Sequence, residues 1–212
     1  MTDCKPVSTA LSLRSVVMTN DALLLANPLE YRSLVGVLQY LTITRPDLAY
    51  ATNLLCQKMQ QPTVGDFHKL KRVLRYVKGT IHLGIFIRSH SSVTLYGFSD
   101  ADWAGCVDTR CSTTGFCTYL GSNLISWIAK KQPTVSRSST EAEYRALAST
   151  TADLTWISFV LLTLVYVSPP QHFCFVIISL PFLLLPILFY MLVPNTSKLA
   201  SILFGRKFPQ VL

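Results

Sequence analysis

Three acidic residues carry the clearest chemical signal in the sequence. Asp100 and Asp102 lie near the end of VTLYGFSDADW, an alternating segment whose β-forming residues predict a strand. Residues two apart on a strand share a face, so both carboxylates are expected on one side. Glu143 follows a capping-box pattern, Ser138 to Glu141, and is expected in the first turns of a helix. A strand and a crossing helix that both present carboxylates can hold Mg²⁺, because this cation prefers oxygen ligands.

The same acids also have an ordinary structural interpretation. Surface strands often carry Asp, and helix N-termini favour Asp and Glu because negative charge there complements the helix dipole. From these residues alone, a metal site and a solvated acidic surface both stay open.

The segment 93–157 is predicted to run β-β-β-α. Two further strand patterns, TGFCTYLG and NLISWIA, are joined at Gly121-Ser122, a tight-turn signal. The following EAEYRALASTTADLTWI is a good helix. Short links between three consecutive strands predict an antiparallel meander, and the fold class is therefore α/β.

A helical segment is predicted before the strands. Asn27-Pro28 is a helix-start signal, a second helix restarts near Pro46 and ends by Pro62, and a third covers Asp66 to Lys78. The third helix is strongly basic, and with a net charge of +8 the chain is a plausible partner for polyanions. A basic face can contact phosphates or can simply be a solvated surface, and both interpretations remain. A nucleic-acid-binding role would use Lys69, Arg72, Arg75, Lys78 and Arg137.

Several long stretches of the sequence resemble one family of proteins. The stretch FSDADWAGCVDTRCSTTGFCTYLGSNLISWIAKKQPTVSRSSTEAEYRALA resembles the ribonuclease H domain of copia-type retrotransposon Pol polyproteins. Upstream, YRSLVGVLQYLTITRPDLAYATNLL and HKLKRVLRYVKGTIHLGI resemble the region that connects polymerase to ribonuclease H in the same polyproteins. The resemblance implies a polymerase-connection-like helical segment at 1–90 and a truncated ribonuclease-H-like unit (β-β-β-α) at 93–158.

The resemblance also implies a chemistry. Domains of this family cleave the RNA strand of an RNA–DNA hybrid with two divalent metal ions, for which Mg²⁺ is the expected cofactor. By position, Asp100 and Glu143 match catalytic metal ligands, and Asp102 is a further metal candidate, whereas Glu141 matches a capping acid. Trp103, Trp127 and Tyr144 are predicted core residues. The family location would be cytoplasmic or nuclear.

One departure from the family puts the activity in doubt. The family supplies a third carboxylate from a Cys-Asp-Asn strand after the helix and a fourth acid near the end, but this sequence has no Asp or Glu after Asp153. Activity is therefore predicted to be lost. The first strand is also predicted to lack its parallel partner and to expose an edge.

The tail, residues 160–212, is apolar and has two possible explanations. The stretch 173–193 contains no charged residue and is long enough for a transmembrane helix, which would associate the chain with a membrane. Alternatively, the tail is a frameshift product, because codons that can encode Phe175 to Ser179 spell Cys-Asp-Asn-Ile in another phase. The six cysteines include no C-x-x-C pair, so free thiols in a reducing compartment are expected.

Overall fold

The computed structural model describes residues 4–12, 21–165 and 172–176, the last five by their backbone pairing. Up to residue 165, helices and strands follow in the order predicted from the sequence, which confirms the α/β class. A short 3-10 turn, Pro46–Leu48, precedes the second helix. The elements are α1 (Pro28–Leu41), α2 (Ala49–Cys56), α3 (Val64–Gly79), β1 (Leu95–Asp102), β2 (Thr113–Leu120), β3 (Asn123–Lys131), α4 (Ser139–Val165) and β4 (His172–Val176).

The helical region begins where the capping signals place it. The Asn27 side chain accepts a hydrogen bond from the backbone N–H of Leu29 at the start of α1. Thr63 and Asp66 form a reciprocal capping box at the start of α3. The helices pack around one apolar core, whose fully or nearly fully buried members are Tyr31, Val35, Leu38, Leu48, Ala51, Leu55, Leu70 and Val73.

The sheet has the strand order β3-β2-β1-β4. Its first three strands form the antiparallel meander that the sequence predicts, with Asp100 paired to Gly115. The prediction of an exposed β1 edge is wrong, because β4 pairs with β1 in parallel from Leu95↔His172 to Ser99↔Val176. A ladder is made by backbone groups, so the apolar, β-forming sequence HFCFV can pair with β1 whatever the chemistry of most of its side chains.

Helix α4 crosses the sheet over Gly97. A Cβ on Gly97 would lie 2.8 Å from Cγ2 of Thr150, so the close approach of helix and strand requires a residue without a side chain. Leu95, Leu154 and Ile157 make the apolar part of this contact. The helix continues through Val165, past the predicted boundary at residue 158.

The helical region and the sheet touch directly. The indole N–H of Trp127 on β3 donates to the carbonyl of Thr42 over 2.9 Å, and Lys58 pairs with Asp108 at 2.9 Å. Trp127 is half-buried in this contact. The prediction that Trp103 and Tyr144 are core residues is wrong, because they are 48% and 55% exposed. An aromatic side chain needs a second layer to cover it, and about half of each of these two side chains stays in contact with solvent.

Within the stretches that the structure describes, no helix combines the length and apolar composition needed to cross a bilayer. The predicted membrane segment 173–193 lies outside those stretches except for its first residues, which belong to β4.

Candidate metal centre at the end of β1

Asp100 lies near the C-terminal end of β1. Its Oδ1 accepts a hydrogen bond from the backbone N–H of Ala101 over 2.9 Å. Although Asp100 keeps contact with solvent, partial burial and the nearby charge of Asp102 raise the pKa of its carboxyl. The ionised form of Asp100 is therefore less stable at this position than it would be in water.

The start of α4 fixes the position of Glu143. The Ser138 hydroxyl accepts from the backbone N–H of Glu141 at 3.1 Å, and Glu141 Oε2 accepts from the backbone N–H of Arg137 at 2.8 Å. Glu141 also pairs with Arg145, one turn along the helix, at 2.6 Å. These contacts occupy Glu141 as a capping acid and leave Glu143, two residues later, directed into the structure.

Glu143 is a buried acid with an unfilled hydrogen-bonding position. Its side chain is 6% exposed, and Oε2 has no hydrogen-bond partner among the described residues. Burial raises the pKa of Glu143 to about 7, and the charge of Asp100 adds to the shift. The Ala101 N–H partly offsets the increase for both acids.

Together, Asp100 and Glu143 form a pair that lacks positive charge. Two like-charged carboxyls, one of them buried, destabilise their ionised forms unless a cation or a proton compensates them. Carboxylate oxygens are the donors that a hard divalent cation such as Mg²⁺ takes, so this pair fits part of such a site.

Asp102 shares the β1 face with Asp100, but its carboxylate lies against the following turn. A Cβ placed on Gly105 would come within 1.8 Å of Asp102 Oδ2, so the carboxylate occupies the space over that glycine. In the part of the chain that the structure describes, no three His, Cys, Asp or Glu side chains come together as a metal-binding group. The local arrangement is therefore a two-carboxylate pair with Asp102 beside it.

The basic face of α3 is engaged within the chain. Arg72 donates to the Thr9 hydroxyl at 2.8 Å, Arg75 to the Lys5 carbonyl at 2.7 Å and Lys78 to the Cys4 carbonyl at 3.1 Å. Lys69 pairs with Asp66 on its own helix at 3.0 Å. These four cations thus hold the N-terminal arm, residues 4–9, and the start of α3. Arg137, exposed at the start of α4, lies closer to the acidic pair in the chain.

Sequence reasoning missed the contribution of Ala101. Its backbone N–H interacts with both carboxyls of the pair. A backbone donor leaves no mark in a residue pattern, and only the strand–helix geometry shows it. The same holds for the arm contacts, where two of the three acceptors are backbone carbonyls.

Comparison with known proteins finds relatives of two kinds, a mitochondrial protein and transposon Pol polyproteins. No family model and no solved structure matches the chain. An uncharacterized mitochondrial protein of Arabidopsis thaliana is 60% identical over 158 residues, which cover 74% of this chain and 65% of that protein. Retrovirus-related Pol polyproteins from the A. thaliana transposons RE2 and RE1 are 47% and 45% identical over 176 residues, 82% of this chain. These relatives are consistent with a fragment of a copia-type retrotransposon Pol polyprotein.

The chain matches only a small part of the full polyproteins. It spans 65% of the mitochondrial relative and 12% of each of the two Pol polyproteins. These similarities confirm the resemblance found in the sequence. The activity of the whole polyprotein does not follow from a match of this extent.

Proposed function

We propose that this Pol-family chain carries the remnant of a two-metal RNA–DNA hybrid ribonuclease centre, in which Asp100 and Glu143 hold one Mg²⁺ and hydrolysis is lost. The observation that carries the proposal is the buried Oε2 of Glu143, without a hydrogen-bond partner among the described residues and close to a second carboxyl. A divalent cation would satisfy both features at once.

The loss of activity is argued from the number of ligands. A complete two-metal centre uses its ions to activate the attacking water and to stabilise the leaving oxygen, and it needs several carboxylates to hold them. Asp100 and Glu143 can provide two. The strand that pairs with β1 has the sequence HFCFV, and the sequence contains no acid after Asp153, so β4 contributes no third carboxylate.

Metal binding can be measured through stability. At pH 8, millimolar Mg²⁺ is expected to raise the unfolding midpoint of the wild-type protein, because a ligand that binds only the folded state stabilises it. Asp100→Asn and Glu143→Gln should each abolish the response, whereas Glu30→Gln, an exposed acid on α1, should retain it. A wild-type midpoint that does not respond to Mg²⁺ contradicts the metal-binding half of the proposal.

Hydrolysis is tested separately with a labelled RNA–DNA hybrid. The wild-type chain is expected to show no Mg²⁺-dependent cleavage above background. Robust cleavage that Asp100→Asn abolishes would overturn the claim that activity is lost.

A gain-of-ligand variant sharpens both tests. Val176 pairs with Ser99, the neighbour of Asp100, so Val176→Asp brings a carboxylate to the strand beside the pair. We expect this variant to bind Mg²⁺ more tightly than the wild type, and Val176→Asn is the matched control without charge. Equal Mg²⁺ responses of the two variants would count against a ligand position on β4.

Binding of nucleic acid without cleavage is the second candidate function, favoured by the net charge of +8. Arg75 is held by the Lys5 carbonyl, whereas the side chain of Arg137 is exposed, so Arg137 is the better candidate for contact with nucleic acid. Arg137→Ala should therefore weaken hybrid binding and reduce its salt-dependence slope by about 1, and Arg75→Ala should change both less. An affinity that does not depend on salt would exclude this function.

A further inference from the structure

We propose that Cys106 and Cys111, in the loop between β1 and β2, form a redox-active dithiol in which a hydroperoxide oxidises Cys106 and Cys111 then closes a disulfide. This goes beyond the proposed metal centre, because neither cysteine takes part in it. The inference rests on the loop's backbone hydrogen bonds, on the groups around the Cys106 sulfur and on the contrast with two other thiols.

The loop brings the two cysteines face to face. The backbone N–H of Cys106 donates to the carbonyl of Cys111 at 3.2 Å, and the N–H of Arg110 donates back to the Cys106 carbonyl at 2.7 Å. Arg110 has a φ of 55°, the left-handed conformation that lets the chain turn back within five residues. This hydrogen bond places Cys106 and Cys111 next to each other across the turn, and a disulfide needs such adjacency, with α-carbons about 4.4 to 6.8 Å apart.

The sulfur of Cys106 is activated. Lys131 Nζ at the end of β3 donates to Cys106 Sγ at 3.0 Å. Hydrogen bonds from Thr109 and from Lys131 lower the pKa of the Cys106 thiol to about 7. Lys58 and Asp108, two further charged groups at the loop, pair with each other at 2.9 Å, and Arg110 lies in the loop itself. A large fraction of Cys106 is therefore thiolate at neutral pH, and the thiolate is the reactive form.

Accessibility separates the roles of the two cysteines. Cys106 is half-buried and can be reached by a small oxidant, whereas Cys111 is 8% exposed and shielded from one. The backbone N–H of Cys111 also lies 3.5 Å from the Thr109 hydroxyl that interacts with Cys106. Cys106 is thus placed to react first and Cys111 to react with it.

Two other cysteines provide a contrast within the same molecule. Burial raises the pKa of the thiols of Cys56 and Cys117, which keeps them protonated at neutral pH. Thiols of this kind are poor nucleophiles. Oxidation should therefore be selective for the loop.

The chemistry balances in two steps. The Cys106 thiolate attacks one peroxide oxygen, the O–O bond breaks, and the products are a sulfenic acid and an alkoxide or hydroxide that takes up a proton. The Cys111 thiol then attacks the Cys106 sulfur, the S–S bond forms, the S–O bond breaks, and hydroxide leaves with the thiol proton as water. The peroxide is the two-electron oxidant.

The first test compares rates of thiol modification. The full-length protein is treated with limiting iodoacetamide over a range of pH, with chelator present, and each cysteine is followed by peptide mass spectrometry. Cys106 should react first, with a rate midpoint near pH 7, and well ahead of Cys56 and Cys117. Lys131→Met should slow Cys106 about tenfold at pH 7 because it removes the positive donor. Lys130→Met, the neighbouring lysine that does not contact the sulfur, is the matched control.

The second test follows oxidation by hydrogen peroxide. The wild-type protein should yield a Cys106–Cys111 disulfide, whereas Cys111→Ser should stop at a sulfenic acid that dimedone traps. A dimedone adduct on Cys106 in the wild type, without disulfide, would overturn the role of Cys111. Equal reactivity of Cys106, Cys56 and Cys117 in the unmodified protein would overturn the whole proposal, and this measurement does not depend on the folding of any variant.

Discussion

The helical region, residues 28–79, and the sheet region, residues 95–165, bury different kinds of side chain. The helices enclose one large apolar core, in which Leu70 and Val73 have no exposed surface. Among the described residues, the sheet region has a smaller apolar cluster, formed by Leu95, Leu154 and Ile157 with two partly buried leucines against it. Its other buried positions are largely polar, among them Thr118, which bonds to Asp153, and Gln132, which bonds to Thr114 and Ser136.

This difference suggests where each region obtains its stability. Apolar burial contributes roughly 25 cal/mol per Å² removed from water, whereas a hydrogen bond inside a protein contributes only about 1 kcal/mol net. The sheet region also leaves apolar surface uncovered on α4, where Trp156 and Phe159 are 65% and 64% exposed. The half of the molecule that carries the acidic pair is thus the half with the smaller apolar core.

Replacing a core leucine by alanine tests this comparison and is expected to have the largest effect on the free energy of unfolding. Leu70→Ala is expected to lower the free energy of unfolding by about 3 to 5 kcal/mol, because the cavity is enclosed and cannot collapse. Leu154→Ala should cost about 2 to 3 kcal/mol, because the open side of α4 lets its neighbours relax. Urea unfolding followed by circular dichroism measures both, with Leu29→Ala, 69% exposed on α1, as a near-neutral control. Equal costs at Leu70 and Leu154 would contradict the comparison.

The buried acid gives the sheet region a pH dependence. The pKa of Glu143 is about 7 in the folded protein and near 4.5 when unfolded, so the folded state binds more protons between these values. The free energy of unfolding should therefore fall by roughly 3 kcal/mol as pH rises from about 4.5 through 7, at about 1.4 kcal/mol per pKa unit. Glu143→Gln should remove this decline.

The pH experiment is done with chelator, so that no cation compensates the acids. Glu30→Gln on α1 is the control and should leave the decline unchanged. If the free energy of unfolding of the wild type instead rises over this pH range, ionisation of Glu143 does not destabilise the folded protein. The argument for the acidic pair then fails.

Replacing each of two glycines by alanine is expected to change stability in opposite directions. Gly97→Ala is expected to cost about 1 to 3 kcal/mol, because its Cβ would press on Thr150 and separate α4 from β1. Gly36→Ala on α1 has open space within 4 Å and should stabilise the helical region by about 0.5 to 1 kcal/mol. Thermal unfolding of both variants measures the signs, and a neutral Gly97→Ala would show that α4 does not depend on this contact.

The smallest predicted effect lies where the two regions meet. Trp127→Phe removes the indole donor to the Thr42 carbonyl and should cost about 1 kcal/mol. Lys58→Ala, which breaks an exposed ion pair with Asp108, should cost less than about 1 kcal/mol. A cost at Trp127 much larger than this would mean that the regions stabilise each other more than their separate cores suggest.

The local elements were predictable because their signals are local. Asn27-Pro28 starts α1, Thr63 caps α3, and Ser138 caps α4, each through contacts with residues only a few positions away. The resemblance to a family then singled out Asp100 and Glu143 among the acids. The physical state of Glu143 could not be predicted, because its missing hydrogen-bond partner and raised pKa depend on how α4 packs on β1.

The errors share one cause, which is pairing between residues distant in the sequence. Strand β4 follows α4 in the chain and pairs with β1, which lies before α4. No pattern within HFCFV predicts this partner. For the same reason the sequence could not predict the contacts between the cations of α3 and the N-terminal arm, which lies 63 to 74 positions away. The exposure of Trp103 and Tyr144 likewise depends on which layer lies opposite.

The parallel pairing of β4 with β1 affects which features of such a sequence survive mutation. Backbone groups make that ladder, so almost any short apolar stretch of β-forming residues can complete the sheet, whereas a carboxylate at one position has no substitute. Mutational decay is therefore expected to erase the chemistry of the chain well before it erases the architecture. The sheet of such a chain can thus remain intact after ligands of a metal site are lost.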